Sequence, residues 1–392
     1  MFKSSQLTAL LLSTCLSTFA AQASSSSSLE NESVSKVQRT HVPSTVSPEG
    51  QGVLKYFDSL GHKLTIEFDH NDLGNIKAVK KEKADLFMGM SEAAIKQYNP
   101  TIIRTQLGDV PVLDIRPQGW QDAGVESPVV VFFHGGGYVF NTADCYQMAT
   151  VPLADKLKAR VISVDYTTAP FKNYIGILQE AWSVVEALRR KGHPMEKMVL
   201  AGDSSGGGLA AALAKSAGEG YVSPAALILW SPWLDVTRAG DTKVTLDDHE
   251  PVLDQVMLDK CALSYAPKSQ HTNPLVSPVY ADFQRGDYPP TLIQGGTKEI
   301  FLSDWVRFAR NAEDATEERE SRRLIPMDVK LDLYEGMTHC FHIFNPDLPE
   351  SQKLLASAKR FFDKHVKQPM PRAQSETQLT VNDTLVDLNT QT

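Results

Sequence analysis

The residues with the clearest chemical potential are the five in the run Gly202-Asp203-Ser204-Ser205-Gly206. They follow an apolar stretch typical of a strand and precede a small-residue stretch typical of a helix. Glycine at both ends permits a turn too tight for larger side chains, and such a turn exposes the hydroxyl of its central serine. The spacing therefore predicts that Ser204 is a nucleophile, with Asp203 bracing the turn.

A second run, His134-Gly135-Gly136-Gly137, follows another apolar, strand-like segment. Consecutive glycines let bare backbone amides approach a developing negative charge, and a tetrahedral intermediate needs donors where that charge appears. We predict that the amides of Gly136 and Gly137, with the amide of Ser205, form an oxyanion hole. His134 and Gly135 are predicted to support this loop.

A general base is expected in a loop that leaves a later strand, where it can lie over the serine. The apolar segment Val329 to Tyr334 is predicted as such a strand, and His339 stands in the loop that follows it. His342 is the competing histidine in the same loop. We predict that His339 is the base.

Together with further motifs, these runs resemble the hormone-sensitive lipase family of α/β-hydrolases, the fold-3 group, over about residues 100 to 365. The resemblance implies an N-terminal helical cap, a Ser-acid-His triad, and hydrolysis of short to medium acyl esters through an acyl-enzyme. It also implies no metal and no dissociable cofactor. The matching motifs, in family order, are His134-Gly135-Gly136-Gly137-Tyr138, Asp165-Tyr166 with Ala169-Pro170, Gly202 to Gly207, Ser231-Pro232-Trp233-Leu234-Asp235, and Tyr334 to His339.

The chain departs from this family at the acid of the triad. The family's acid follows a late strand in a pattern like Gly-Ser-Asp-Glu, whereas this chain has Gly296-Thr297-Lys298-Glu299, so that Lys298 stands at the usual acid position. We predict that Glu299, one residue further on, is the acid, because a carboxylate there can still orient the imidazole. Asp304 is the reserve candidate.

Strand-like and helical segments alternate after residue 100, which predicts an α/β-hydrolase fold with a mostly parallel central sheet flanked by helices. Several strand candidates are near-continuous in Val, Ile and Leu, as expected for strands buried on both faces. The predicted strands are Val110 to Arg116, Val129 to Phe133, Arg160 to Asp165, Met198 to Ala201, Ala226 to Trp230, Thr291 to Ile293 and Val329 to Tyr334. The predicted helices are Cys145 to Lys158, Ile175 to Lys191, Gly207 to Ala217 and Ser303 to Ala315.

Five segments are predicted along the 392 residues. Residues 1–23 have a positively charged N-terminus, a short apolar run and a small-residue cleavage site. This pattern predicts a signal peptide and export to the periplasm or the extracellular space. Residues 24–49 form a flexible Ser-rich linker, 50–100 the N-terminal cap helices, 101–367 the catalytic domain, and 368–392 a disordered tail. No integral membrane span is expected after signal cleavage.

Composition excludes several other classes. The formal charge of -8 is spread over interspersed acidic and basic residues, so nucleic acid is not an expected partner. Cys145, Cys261 and Cys340 allow at most one disulfide and lack the Cys-x-x-Cys spacing of a zinc site. The acidic segment 247–250 is interpreted as a solvated loop rather than a metal site, and the mixed-charge stretch 313–323 as a solvated insertion.

Two alternatives to a general small-molecule esterase remain open from the sequence. One is a catalytically silent binding protein on the same fold, like the plant gibberellin receptors, which keep the serine and lack the histidine that is present here. The other keeps the enzyme and makes it a deacetylase of glycan or sterol acetates.

Overall fold

The computed structural model describes residues 41–61, 63–64, 66–218, 223–283, 288–321 and 328–367. The predicted signal peptide, the predicted tail and most of the predicted linker lie outside these residues.

A single sheet of eight strands in the order β1-β2-β4-β3-β5-β6-β7-β8 forms the centre of the described chain. From β4 across to β8 every neighbouring pair is parallel, while β1 and β2, and β2 and β4, pair antiparallel. The strands are β1 (Thr101–Leu107), β2 (Val110–Arg116), β3 (Val129–Phe133), β4 (Arg160–Val164), β5 (Met198–Asp203), β6 (Ala226–Trp230), β7 (Thr291–Gly296) and β8 (Val329–Tyr334).

Helices cover both faces of this sheet, and a hydrophobic core lies under each layer. Alternate residues of one strand divide between the two cores: Val129, Val131 and Phe133 enter one, Val130 and Phe132 the other. The helices are α1 (Pro48–Leu60), α2 (Leu73–Tyr98), α3 (Gln147–Leu157), α4 (Tyr174–Arg190), α5 (Ser204–Gly218), α6 (Thr242–Thr245), α7 (Gln255–Tyr265), α8 (Leu302–Ser321), α9 (Phe341–Phe344) and α10 (Pro349–Lys367).

This architecture confirms the predicted fold class and brings three distant loops to one edge. The chain leaves β5, β7 and β8 at the same side of the sheet, because parallel strands share the direction of their carboxyl ends. Ser204, Glu299 and His339 each follow one of these strands.

Three differences from the sequence prediction have a clear physical reason. Strand β1 was not predicted, because it is a largely exposed edge strand without continuous apolar residues. The mixed-charge stretch 313–323 was predicted as a solvated insertion, but up to Ser321 it is part of helix α8. Its charged residues are good helix formers. Helix α1 begins at Pro48, inside the predicted linker, with the hydroxyl of Ser47 accepting the amide of Gly50 at 3.0 Å.

Helices α1 and α2 provide the predicted cap. The apolar side chains of Leu86, Phe87, Met90 and Ala94 on α2 line a cavity above Ser204. In the described ranges no helix combines the length and apolarity needed to cross a bilayer. The three cysteines predicted to form at most one bridge are all buried as free thiols.

Candidate active site

Three side chains from separate loops form a connected line at the carboxyl edge of the sheet. The Nε2 atom of His339 lies 3.1 Å from Ser204 Oγ, and its Nδ1 atom lies 2.8 Å from Glu299 Oε2. All three side chains are buried below the cavity. This is the geometry in which an imidazole can take the serine proton while a carboxylate orients its ring.

The nucleophile candidate stands on a strained turn between β5 and α5. Ser204 has a φ of 50°, a left-handed value that is unusual for a residue other than glycine. Gly206 permits the turn, because a Cβ there would collide with the carbonyl oxygens of Phe133 and His134. The turn places the hydroxyl at the floor of the cavity, as the sequence predicted for such a run.

The loop after β3 is tied to both neighbours of Ser204. The amide of Gly135 donates to Asp203 Oδ1 at 2.9 Å, and the amide of Tyr138 donates to Ser205 Oγ at 3.0 Å. Gly136 and Gly137 lie between these two anchors and line the cavity beside Ser204.

Gly137 is needed at its position for two reasons. Its φ is 62°, and a Cβ there would come within 2.7 Å of Cys261 Sγ. The amide of Ser205 lies in the first turn of α5, where an amide has no intrahelical acceptor. Gly136 and Gly137 thus border the space directly above Ser204.

Glu299 is fixed by two further donors, which explains why a residue one position beyond the family's acid can serve. Its Oε1 atom accepts the amide of Gly296 at 2.6 Å and the hydroxyl of Ser231 at 2.7 Å. Ser231 also accepts the amide of Cys340 at 3.2 Å. One hydroxyl therefore joins the loop after β7 that carries Glu299, here called the acid loop, to the loop after β8 that carries His339, here called the base loop. The sequence motif that contains Ser231 did not predict this contact. Its position directly after β6 does, however, indicate that Ser231 lies at the same carboxyl edge of the sheet as the other site residues.

Removing the Ser231 hydroxyl should weaken the acid without removing it. We expect Ser231→Ala to lower kcat by roughly 10-fold, because a hydrogen bond to a charged group contributes about 1.5–3 kcal/mol. The measurement is steady-state hydrolysis of p-nitrophenyl butyrate, with Ser216→Ala on the far part of α5 as the matched control. Wild-type kcat in Ser231→Ala would show that the bridge is dispensable.

The surroundings of His339 favour its charged form. Burial alone lowers the pKa of His339, but the hydrogen bond and charge of Glu299, with the charge of Asp203, raise it above the ordinary 6.5. Burial raises the pKa of Asp203 to about 6, against the opposing effects of Tyr146, His339 and Gly135. Tyr146, which the sequence did not single out, donates its hydroxyl to Asp203.

Two other histidines of these motifs, His342 and His134, are packed against aromatic rings. His342 packs edge-on against Trp230 at 4.5 Å between ring centroids, and burial lowers its pKa to about 3. His134 stacks on Tyr166 at 4.3 Å, and burial lowers its pKa to about 3 as well. Both rings are therefore neutral parts of the scaffold.

The reserve acid is engaged elsewhere. Asp304 lies in the first turn of α8 and pairs with Lys243 at 3.0 Å, and Asp235 pairs with Arg307 at 2.6 Å. The structure brings Glu299, and not Asp304, to the imidazole of His339.

The acidic segment 247–250 is only partly the solvated loop that the sequence suggested. Asp247 pairs with Lys63 at 2.5 Å, whereas Glu250 is fully buried and accepts the amide of Val252 at 2.9 Å. Burial raises the pKa of Glu250 to about 8, so that this carboxyl is largely neutral at pH 7. Its burial corrects the prediction for this residue.

A mostly apolar cavity of about 280 Å³ opens directly above Ser204 and His339. Its walls come from the cap, from α7 and from the segment after His339. Lining side chains include Phe57, Phe87, Met90, Met257, Leu258 and Phe341. Such a space takes an uncharged organic molecule whose polar centre faces the serine.

Comparisons with known proteins agree with this fold. A family profile described as the alpha/beta hydrolase fold matches residues 130–343. An esterase of Acinetobacter venetianus is 29% identical over 265 residues, which cover 67% of this chain and 82% of the esterase. A putative acetyl-hydrolase, LipR, of Mycobacterium tuberculosis is 30% identical over 255 residues, covering 64% of this chain and 77% of that protein.

Solved structures share the fold. A crystal structure of an esterase from the bacterial hormone-sensitive lipase family has a TM-score of 0.62 and 24% identity, covering 73% of this chain and 98% of that one. The chain belongs to the α/β-hydrolase family, and the resemblance to its hormone-sensitive lipase group is confirmed. Relatives named as an esterase, an acetyl-hydrolase and a hormone-sensitive lipase indicate a carboxylic-ester hydrolase.

Proposed function

We propose that the protein hydrolyses short to medium acyl esters through an acyl-enzyme on Ser204. The observation that carries this proposal is the line of contacts from Ser204 through His339 to Glu299, at 3.1 and 2.8 Å. A silent binding protein has no need for a base in contact with the serine. The contact therefore favours catalysis over binding alone.

In the proposed reaction His339 Nε2 takes the proton of Ser204 while Oγ attacks the ester carbonyl carbon. The carbonyl oxygen becomes an oxyanion held by the amides of Gly136, Gly137 and Ser205. Collapse of the intermediate breaks the bond to the alcohol, which leaves with the proton from His339. Water then loses a proton to His339, attacks the acyl-enzyme and releases the acid, which restores the serine.

The cavity supports uncharged substrates of modest size. Its walls are mainly apolar, and its volume of about 280 Å³ lies near the lower end of small-molecule sites. A relative named as an acetyl-hydrolase favours acetyl esters within that range. The deacetylase alternative stays within the proposed chemistry and differs only in the alcohol.

The decisive experiment combines turnover with covalent labelling of the purified protein. We expect hydrolysis of p-nitrophenyl acetate and butyrate, much weaker hydrolysis of the laurate, and a fluorophosphonate adduct mapped by mass spectrometry to Ser204. Acetylated sugars and cholesteryl acetate, assayed beside these esters, test the deacetylase alternative. Absence of both turnover and adduct would falsify the proposal and favour a silent binder.

The pH dependence follows from the state of His339. The base must be neutral to accept the serine proton, and Glu299 raises its pKa above 6.5. We therefore expect kcat/KM for p-nitrophenyl butyrate to fall as the pH falls through a midpoint above 6.5, as measured from pH 5 to 9. An acid limb centred well below 6.5 would contradict the assigned environment of the base.

A further inference from the structure

Residues 41–47, which we call the N-terminal strap, lie across the two loops that carry Glu299 and His339. The backbone carbonyl of His41 accepts Lys298 Nζ at 2.8 Å, next to the acid. The hydroxyl of Thr45 donates to Glu335 at 2.7 Å, at the start of the base loop. The strap thus contacts one loop at Lys298, next to Glu299, and the other at Glu335, four residues before His339.

Packing adds to these hydrogen bonds at Gly336. A Cβ at Gly336 would lie 3.0 Å from Val46 Cγ2 and 3.3 Å from a ring carbon of Pro43. Val46 is itself buried at 4% exposure, so the strap is an integral part of this surface. The base loop therefore rests against the strap on its outer side.

The strap is fastened at its end to α10. A single carboxylate, that of Glu350, accepts both the amide and the hydroxyl of Ser47 at 2.8 Å each. The same hydroxyl caps α1, the first helix of the cap. One residue therefore links the strap, the cap and the C-terminal helix.

The base loop needs such support because of its position in the sheet. It leaves β8, which is the edge strand of the sheet and has no neighbour beyond it among the described residues. Besides the contact between His339 and Glu299, two hydrogen bonds tie it to the acid loop. The amide of Lys298 donates to the carbonyl oxygen of Met337 at 3.1 Å, and the amide of Gly336 donates to the side chain of Thr297, at Oγ1, at 2.9 Å. The two loops form one unit, and the strap covers its exposed side.

We propose that the strap positions the acid and the base, and that Ser47 with Glu350 is its clasp. This inference rests on the proposed ester hydrolysis. It also gives a function to the departure from the family pattern: Lys298, at the family's acid position, holds the strap, while Glu299 takes the acid's place. The clasp and Lys298 are positioning residues, because none of them contacts the reacting atoms.

The test compares Ser47→Ala, Glu350→Ala and Lys298→Met with Glu49→Ala. Glu49 is an exposed acidic residue in the first turn of α1, two residues after Ser47, and it serves as the matched control. We expect the strap variants to lose about 10-fold in kcat on p-nitrophenyl butyrate with little change in KM, since small misplacements of catalytic groups cost up to 10²-fold. The acid limb of their pH profile should move to lower pH, because a looser Glu299 raises the pKa of His339 less.

The double variant Ser47→Ala with Glu350→Ala should be no slower than Glu350→Ala alone, because Glu350→Ala already removes both hydrogen bonds between the two residues. Lower thermal stability with wild-type kcat and pH profile would overturn the proposal and leave the strap a purely structural element. If Glu350→Ala does not fold, Lys298→Met decides between the same two outcomes. Failure of ester hydrolysis itself is separate, since it would appear as a wild-type protein without turnover or fluorophosphonate adduct.

Discussion

Replacing Ser204 with alanine is expected to lower the turnover of p-nitrophenyl butyrate on the order of 10⁴-fold or more, because the covalent route is lost entirely. Residual turnover should come only from the amides that hold the oxyanion and from binding. Fluorophosphonate labelling should disappear in the same variant. The measurement is kcat of the purified variant. It is repeated after treatment with the fluorophosphonate, which inactivates contaminating serine hydrolases.

The fold should survive this change. The hydroxyl of Ser204 bonds to His339 Nε2, and its loss leaves the apolar packing of α5 intact. Thermal melting by circular dichroism checks this expectation, with Ser216→Ala as a control that also removes one hydroxyl from α5. A Ser204→Ala protein that melts normally and still hydrolyses the ester at the wild-type rate would refute the nucleophile.

The second large effect is expected at Glu299. Glu299→Gln should lower kcat by about 10³ to 10⁴-fold, because an amide no longer stabilises the imidazolium and can favour the wrong tautomer of His339. The change keeps the shape of the side chain, so KM should vary little. Steady-state kinetics over a range of ester concentrations separates the two constants.

Asp304→Asn is the matched comparison for Glu299→Gln. Both variants neutralise a fully buried carboxyl near β7, but Asp304 faces Lys243 and not the imidazole. We expect Asp304→Asn to reduce thermal stability through its broken ion pair, with kcat reduced only about threefold or less. The opposite ranking of the two kcat values would transfer the role of the acid to Asp304.

Much of the sheet was predictable because its central strands are apolar and buried on both faces. β2, β3, β6 and β8 begin and end at the predicted residues, and two of the four predicted helices match within two residues at each end. β1 escaped prediction because an exposed edge strand has no apolar pattern to detect. The length of α8 escaped because a highly charged sequence fits a solvated helix as well as a loop.

The site divides in the same way. Ser204 and the glycine loop follow from local sequence, since the turn and the bare amides each need glycine at fixed positions. The choice between Glu299 and Asp304 depends on how one turn after β7 folds, and on Ser231 arriving from another loop. Contacts of this kind, between segments distant in sequence, leave no pattern in either segment alone.

The ties between the glycine loop and the two neighbours of Ser204 have a consequence for how substrate preference can change. Gly135 and Tyr138 are anchored to Asp203 and Ser205, so that the proposed nucleophile and the amides proposed to hold the oxyanion are fixed relative to each other. The cap helices border the cavity without taking part in those anchors. New acyl or alcohol preferences can therefore arise by altering the cavity walls, while the distance from nucleophile to carbonyl oxygen stays the same.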